Sequence, residues 1–383
     1  MKALAALAFA CVALGLAPAA AAPPKISDLA DELQRIQIRM AEGDKTAYAE
    51  QLKQLKAMAA AIAGAAPETW KSEREADGLV VYLLSGGWSA ELAALLSGEA
   101  IVDSRRALAR GAAAYIAGRS AEAAELMNKI DPAELSPRLA GQVAFARSVL
   151  ATKRDPKAAL DLLDRARLIA PGTLLEEAAL RREIALLAQA RDPRAAMLIR
   201  QYAARFSASL YAGDFFRDLA RLAAEFDLAD KAGGLERLAR ALEPLPVDAK
   251  RAFWLALAKT LTIAVRPTPA EAAAKEVLRY VRSDSEEGLR ARLYHDAGRL
   301  LAGEYESAAA DLQALPPSKL DRSDAALLTS VRSVAAQLRA APSSGAVAAQ
   351  SEEPGRGAGA AGAIGLAEAA LQRTGDLAEA ENR

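Results

Sequence analysis

Cysteine is nearly missing from this 383-residue chain. The one example, Cys11, lies in an apolar N-terminal run, and no thiol follows it. Disulfides, thiol chemistry and zinc–thiolate sites are thereby excluded from the rest of the chain. Histidine also occurs once, as His295, which is too few for a histidine-based metal site. Aromatic residues make up only 5%, and they do not alternate with a basic patch as single-strand binding surfaces require. Charge of either sign is in no surplus: 49 Lys and Arg balance 49 Asp and Glu, so nothing argues for nucleic acid. After the N-terminus no apolar run is long enough to span a membrane; in the nearest, Ala252 to Val265, Lys259 intervenes. The glycine-rich stretch Gly355 to Gly365 lacks the Gly-Lys-Ser/Thr ending of a phosphate loop, and no strand precedes it.

The N-terminus itself carries a pattern. One positive charge in Met1-Lys2 precedes an apolar run from Ala3 to Leu16, and small residues follow from Ala17 to Ala22. That is the order of a cleavable secretory signal. Ala19 and Ala21 fit the two small pockets of a signal peptidase, so residues 1–21 are expected to be removed and the remainder exported to the periplasm. Ala8 stands where a lipoprotein signal wants leucine, so Cys11 reads as apolar filler.

Beyond the signal the pattern is helical. Leu29, Leu33, Ile36 and Met40 share one face, as do Leu52, Leu55, Met58 and Ile62. The helices repeat. Asp155-Pro156-Lys157-Ala158-Ala159 returns as Asp192-Pro193-Arg194-Ala195-Ala196, and Thr268-Pro269 repeats the device. Asp accepts from free amides of a first turn and Pro loses nothing there, so each pair is expected to open the second helix of a hairpin. Elsewhere Gly43, Gly86-Gly87, Gly118 and Gly303 serve the turns. Small residues then align just inside each second helix: Ala47, Ala90, Ala123, Ala159, Ala196, Gly233, Ala273 and Ala309. Ala159, Leu163, Ala166 and Pro171 match the second helix of the tetratricopeptide pattern, and Gly303, Tyr305 and Ala308 resemble its turn. The expected fold is all-α, a tetratricopeptide-like α-solenoid of helical hairpins over residues 26–338, least regular around Gly213–Val247. A breaker-rich linker is expected over 341–365, with 366–383 a short helix or a disordered tail.

Candidate chemistry is sparse. His295-Asp296 looks like part of a catalytic pair, but helical neighbours project about 100° apart, so a partly buried or capping histidine is expected. Glu176-Glu177 follow Thr173 with capping-box spacing, and Arg181 lies four and five residues on, where surface pairing is expected. Glu286-Glu287 likewise open a helix after Ser283 and Asp284. Glu306-Ser307 and Gly362-Ala363-Ile364-Gly365-Leu366 resemble pieces of soluble lytic transglycosylases, yet the linker separates what those enzymes keep in one small domain. Trp254, Tyr211 and Phe215 read as core packing ahead of interface anchors. No catalytic, cofactor or metal residue is named, and the partner-binding face is unknown.

Arg167-Leu168-Ile169-Ala170-Pro171-Gly172-Thr173-Leu174-Leu175-Glu176-Glu177-Ala178-Ala179-Leu180-Arg181-Arg182 resembles the best-preserved stretch of the MotC family. Tyr82 to Gly87 is similar to that family, as is Gln201-Tyr202 through Phe206 to Tyr211 and Phe215. The similarity runs from about Ser27 to Leu338. It implies a non-catalytic periplasmic motility protein that acts beside the flagellar stator, on the peptidoglycan-anchored MotB subunit, stabilising or folding it. It transfers no catalytic or ligand residue. The rival readings are a general periplasmic repeat adaptor in envelope maintenance or secretion, and an envelope hydrolase or its activator.

Overall fold

The computed structural model describes residues 24–89, 91–229 and 233–340. The expected signal peptide, the linker, the C-terminal piece and Ala90 lie outside the described residues. Among those described there are seventeen α-helices, three short 3-10 turns and no strand. The helices pair as hairpins: α1 (Ile26–Ala41) with α2 (Ala47–Ala63), α3 (Glu73–Leu84) followed by α4 (Glu91–Ser97), then α5 (Asp103–Ile116) with α6 (Ser120–Asn128). Next come α7 (Pro137–Ala151) with α8 (Pro156–Ile169), α9 (Leu174–Gln189) with α10 (Arg194–Phe206), and α11 (Ala212–Glu225) followed by α12 (Gly234–Ala241). The chain continues with α13 (Val247–Ile263) on α14 (Pro267–Leu278), α15 (Glu286–Leu301) on α16 (Tyr305–Ala314), and a final α17 (Arg322–Ala340). This is the expected helical-hairpin solenoid. The expected irregularity around Gly213–Val247 has a structural cause: α12 is only eight residues long and lies against α10 and α14 rather than along α11.

The turns repeat more faithfully than the sequence does. In seven of them one residue takes a left-handed φ: Gly43, Gly86, Gly118, Arg191, Asp227, Val265 and Gly303. The amide after it bonds back to a carbonyl of the last helical turn, as in Arg119 N to Ala114 O at 2.9 Å and Asp192 N to Leu187 O at 2.8 Å. That closes the carbonyls a helix end leaves open. Three of the seven are not glycine, with φ of 52° at Arg191, 59° at Asp227 and 55° at Val265. Asp155-Pro156 starts α8 as expected, Asp155 accepting from Ala158 N at 2.9 Å; α10 instead starts one residue later, with Pro193 at the cap position and no side-chain cap, and Asp192 just outside it accepts from Arg194 N at 2.9 Å. Thr268 does not cap α14. That helix opens earlier, at Pro267, after Arg266, with no side-chain cap. Ala47, Ala123, Ala159, Ala273 and Ala309 are buried as expected, whereas in α10 the buried alanine is Ala195, one residue ahead of Ala196. Gly233 stands before α12, in the left-handed conformation, not within it.

Two apolar cores form. One joins α1 through α7, with Leu33, Met58, Leu79 and Leu83 sealed from solvent; the other runs from Leu180 to Ala335 around Tyr202, Trp254 and Tyr294. Each such side chain contributes about 1.5–3 kcal/mol by leaving water. Between them lies a small alanine-rich cluster of Ala144, Leu163, Ala166 and Ala179. Leu52, assigned by spacing to the buried face of α2, is instead exposed.

The first hairpin breaks the neighbour-only stacking of a simple solenoid. α1 crosses to α9, where Ile36 and Met40 pack with Leu174, Leu210 and Tyr211. Leu210 N donates to Met40 O at 3.3 Å. A Cβ at Gly43 would come within 2.3 Å of Ala208 O, so only glycine allows this approach. The start of α1 is tied down as well: the Glu75 carboxylate on α3 accepts from Ile26 N at 2.8 Å and from Ser27 Oγ at 2.7 Å. That is an N-cap supplied from another helix.

Candidate binding cleft and its polar frame

α9 begins as its sequence predicts. Thr173 Oγ1 accepts from Glu176 N at 3.3 Å, and Glu176 reaches back to Gly172 N at 2.6 Å, closing a capping box after the Pro171-Gly172 turn. The expected surface pairing of Glu176 and Glu177 with Arg181 does not occur. Both carboxylates are 1% exposed, because α1, α8, α10 and α11 all pack against α9. Glu176 pairs with Arg205 at 2.9 Å and accepts from Gln201 Nε2 at 3.2 Å. Glu177 accepts from Tyr202 Oη and Ser209 Oγ, each at 2.7 Å. Arg181 stands over the Tyr211 ring instead, 5.8 Å from its centre.

Burial raises the pKa of Glu177, while the two hydroxyls and Arg181 pull it back. Glu183 is pushed up to about 7 by burial, and the nearby Asp164 charge adds to the shift; Arg167, with Nε at 3.1 Å, opposes it. Arg167 also bonds Asp164. Desolvation holds the Tyr202 phenol far above its usual range, so it stays a donor. These groups tie α8, α9, α10 and the loop before α11 into one polar frame.

Within the ring that α1 closes, a cleft of 150 Å³ opens beside α3, α5, α7 and α9. Gln37, Tyr115, Gln142, Phe145 and Leu175 line it. A smaller extension of 20 Å³ shares Gln37, Gln142 and Leu175 and adds Gln34 and Arg138. Gln142 Oε1 and Arg138 Nη1 are buried and have no hydrogen-bond partner among the described residues, although another Arg138 nitrogen bonds Asp31. The 20 Å³ beside this donor and acceptor is room for about one water, which can serve both. The sequence reading missed this cleft. Gln34 and Gln37 are uncharged and one helical turn apart beside the apolar face of α1, which was the signal available.

The remaining candidates fall elsewhere. His295 sits on α15 with its side chain 19% exposed, partly buried as expected. It does touch its neighbour, however: Nδ1 lies 2.8 Å from Asp296 Oδ1. Arg299 holds the same carboxylate oxygen at 3.2 Å, and Glu271 is 3.9 Å from His295 Nε2. Glu286 and Glu287 start α15, capped by Ser285. Glu306 is in the first turn of α16, and Ser307 Oγ accepts from Arg299 at 2.9 Å; Gly362 to Leu366 lie outside the described residues. Trp254 and Phe215 are core residues, and Tyr211 is half-buried under Arg181. No group of three or more His, Cys, Asp or Glu suited to a metal ion occurs among the described residues, and no helix there is long and apolar enough to cross a membrane.

The chain has counterparts among known proteins. Residues 1–382 match the family model described as Chemotaxis protein MotC. The chain belongs to the MotC family. A curated relative, Chemotaxis protein MotC of Rhizobium meliloti (strain 1021), is 30% identical over 308 residues, covering 79% of this chain and 70% of the relative. No solved structure matches. Membership in the MotC family makes this a motility- and chemotaxis-related protein. The segment Arg167–Arg182, which carries the MotC resemblance, supplies the capping box and two of the frame's buried glutamates, Glu176 and Glu177.

Proposed function

We propose that this MotC-family chain is a non-catalytic periplasmic protein that binds and stabilises the flagellar motor stator through the periplasmic portion of MotB, and that flagellar rotation needs it. The family match carries the reading. The signal-like N-terminus supports export. The cleft suits binding better than reaction, since no nucleophile and base converge among the residues that line it.

The test combines an in-frame deletion with a periplasmic pull-down. Deleted cells are expected to keep their flagella, stop swimming and lose MotB, and the tagged protein is expected to retain MotB. Normal swimming with a weakened envelope would sink the stator reading in favour of a general adaptor. A peptidoglycan-cleaving activity abolished by Glu306→Gln would replace it with a hydrolase.

A further inference from the structure

Charge is balanced over the whole chain, but α10 and α12 depart from that balance. Arg194 is held by Asp192 and Arg205 by the buried Glu176, but the shallow groove between α10 and α12 is lined by Arg200, Arg237 and Arg240 against one acidic residue, Glu243. The eight residues of α12 cannot cover the thirteen of α10. What remains between them is a cavity of 270 Å³ with an apolar floor that includes Ala195, Ile199 and Leu238. It continues past Ala196 and Arg237 into the shallow groove, of 450 Å³, beside Met197, Arg200 and Arg240. Met197 is 61% exposed at that junction, although its unbranched thioether is suited to packing against irregular partners.

We propose that this groove docks an acidic segment of a partner protein, which places one apolar side chain over Ile199 and its carboxylates against Arg200 and Arg240. The apolar floor gives an anchor pocket, and the arginine excess along the outer groove selects the sign of the partner. Arg200 already bonds Glu243 at 2.9 Å, and Arg191 bonds Asp227 at 2.7 Å. Both arginines are more than half exposed, and pairs of that kind contribute at most about 1 kcal/mol, so an incoming carboxylate exchanges with them at little cost. A flat anionic membrane would meet the arginines but could not reach the floor of the cavity. The inference rests on the protein being a partner-binding protein, and on no particular partner.

Fluorescence anisotropy of the full chain tests it. The probe is a short fluorescein-labelled peptide with leucines at helical spacing and glutamates between them; its control replaces the glutamates with lysines. The glutamate peptide is expected to bind and the lysine peptide not to. Arg200→Glu and Met197→Asp, both surface changes, are expected to weaken binding about tenfold, and Ala196→Trp, which plugs the passage between cavity and groove, to abolish it. Circular dichroism confirms that each variant folds, and the two surface variants decide the matter if Ala196→Trp does not. Equal binding of the lysine peptide, no binding of the glutamate peptide, or unchanged binding by the surface variants would overturn the proposal. So would retention on phosphatidylglycerol vesicles without peptide binding. If the glutamate peptide binds while the pull-down fails to retain MotB, the stator reading falls and the groove stands.

Discussion

Glu177 lies sealed beneath two hydroxyls that both donate to it, one from Tyr202 and one from Ser209. Glu177→Ala strands both, and stability is expected to fall by about 2–4 kcal/mol, read as a shift in the urea midpoint with an unchanged slope. A loss below ~0.5 kcal/mol would show that the frame is not structural. Glu183 makes a different prediction. Its folded pKa, about 7, lies above the ordinary glutamate value of 4.5, so the folded state holds the proton more tightly than the unfolded chain. The stabilisation is therefore complete below pH 4.5 and is lost as pH rises through 7. Glu183→Gln should remove that loss. Relative to wild type, the variant is expected to gain on the order of 3 kcal/mol between those limits, measured by urea unfolding across the pH series. A constant difference at every pH would refute it. The cap from Thr173 to Glu176 was legible because capping depends on spacing within one turn. The burial of the same glutamates was not, because it depends on Gln201, Tyr202 and Ser209, a helix away.

Helix-to-helix turns separate local strain from packing. Gly118 has a φ of 73°, and a Cβ added there would meet nothing within 4 Å, whereas Gly43 has a φ of 96° and faces Ala208 O. Gly118→Ala is expected to cost about 1 kcal/mol, the price of a left-handed alanine. Gly43→Ala is expected to cost at least about 2 kcal/mol more, since the α10–α11 loop must move away. Thermal unfolding of both variants gives the difference, and hydrogen exchange at the Leu210 amide should accelerate only in Gly43→Ala. Equal losses would mean that the contact with Ala208 is incidental. The four glycine turns were readable from composition. Arg191, Asp227 and Val265 were not, because their strain is held by context: helix-closing bonds at each, and an Asp227 carboxylate that bridges Arg191 at 2.7 Å and Arg266 at 2.8 Å. No local pattern announces a left-handed valine.

At the scale of the whole molecule, two large cores meet across a thin alanine-rich seam, with α1 as the strap between them. Unfolding is expected to proceed in two steps, because a solenoid is only as cooperative as its weakest interface. Hydrogen exchange should give the amides of α3 and α5 a different opening free energy from those of α13 and α15, and Met40→Ala should widen the gap. A single exchange free energy throughout would contradict this. The hairpin architecture was legible because every repeat restates the same helical period and turn chemistry. The closure of α1 on α9 was not, since it joins residues far apart in the sequence through contacts that follow no period.

The bond from Leu210 N to Met40 O also bears on time. A chain that emerges N-terminus first presents α1 long before residue 210 exists to cover it. Ile36 and Met40 stay open to solvent, or to a chaperone, while some 170 further residues appear, a delay set by contacts of high sequence separation. A hairpin made before most of the described helices is thus among the last to be finished.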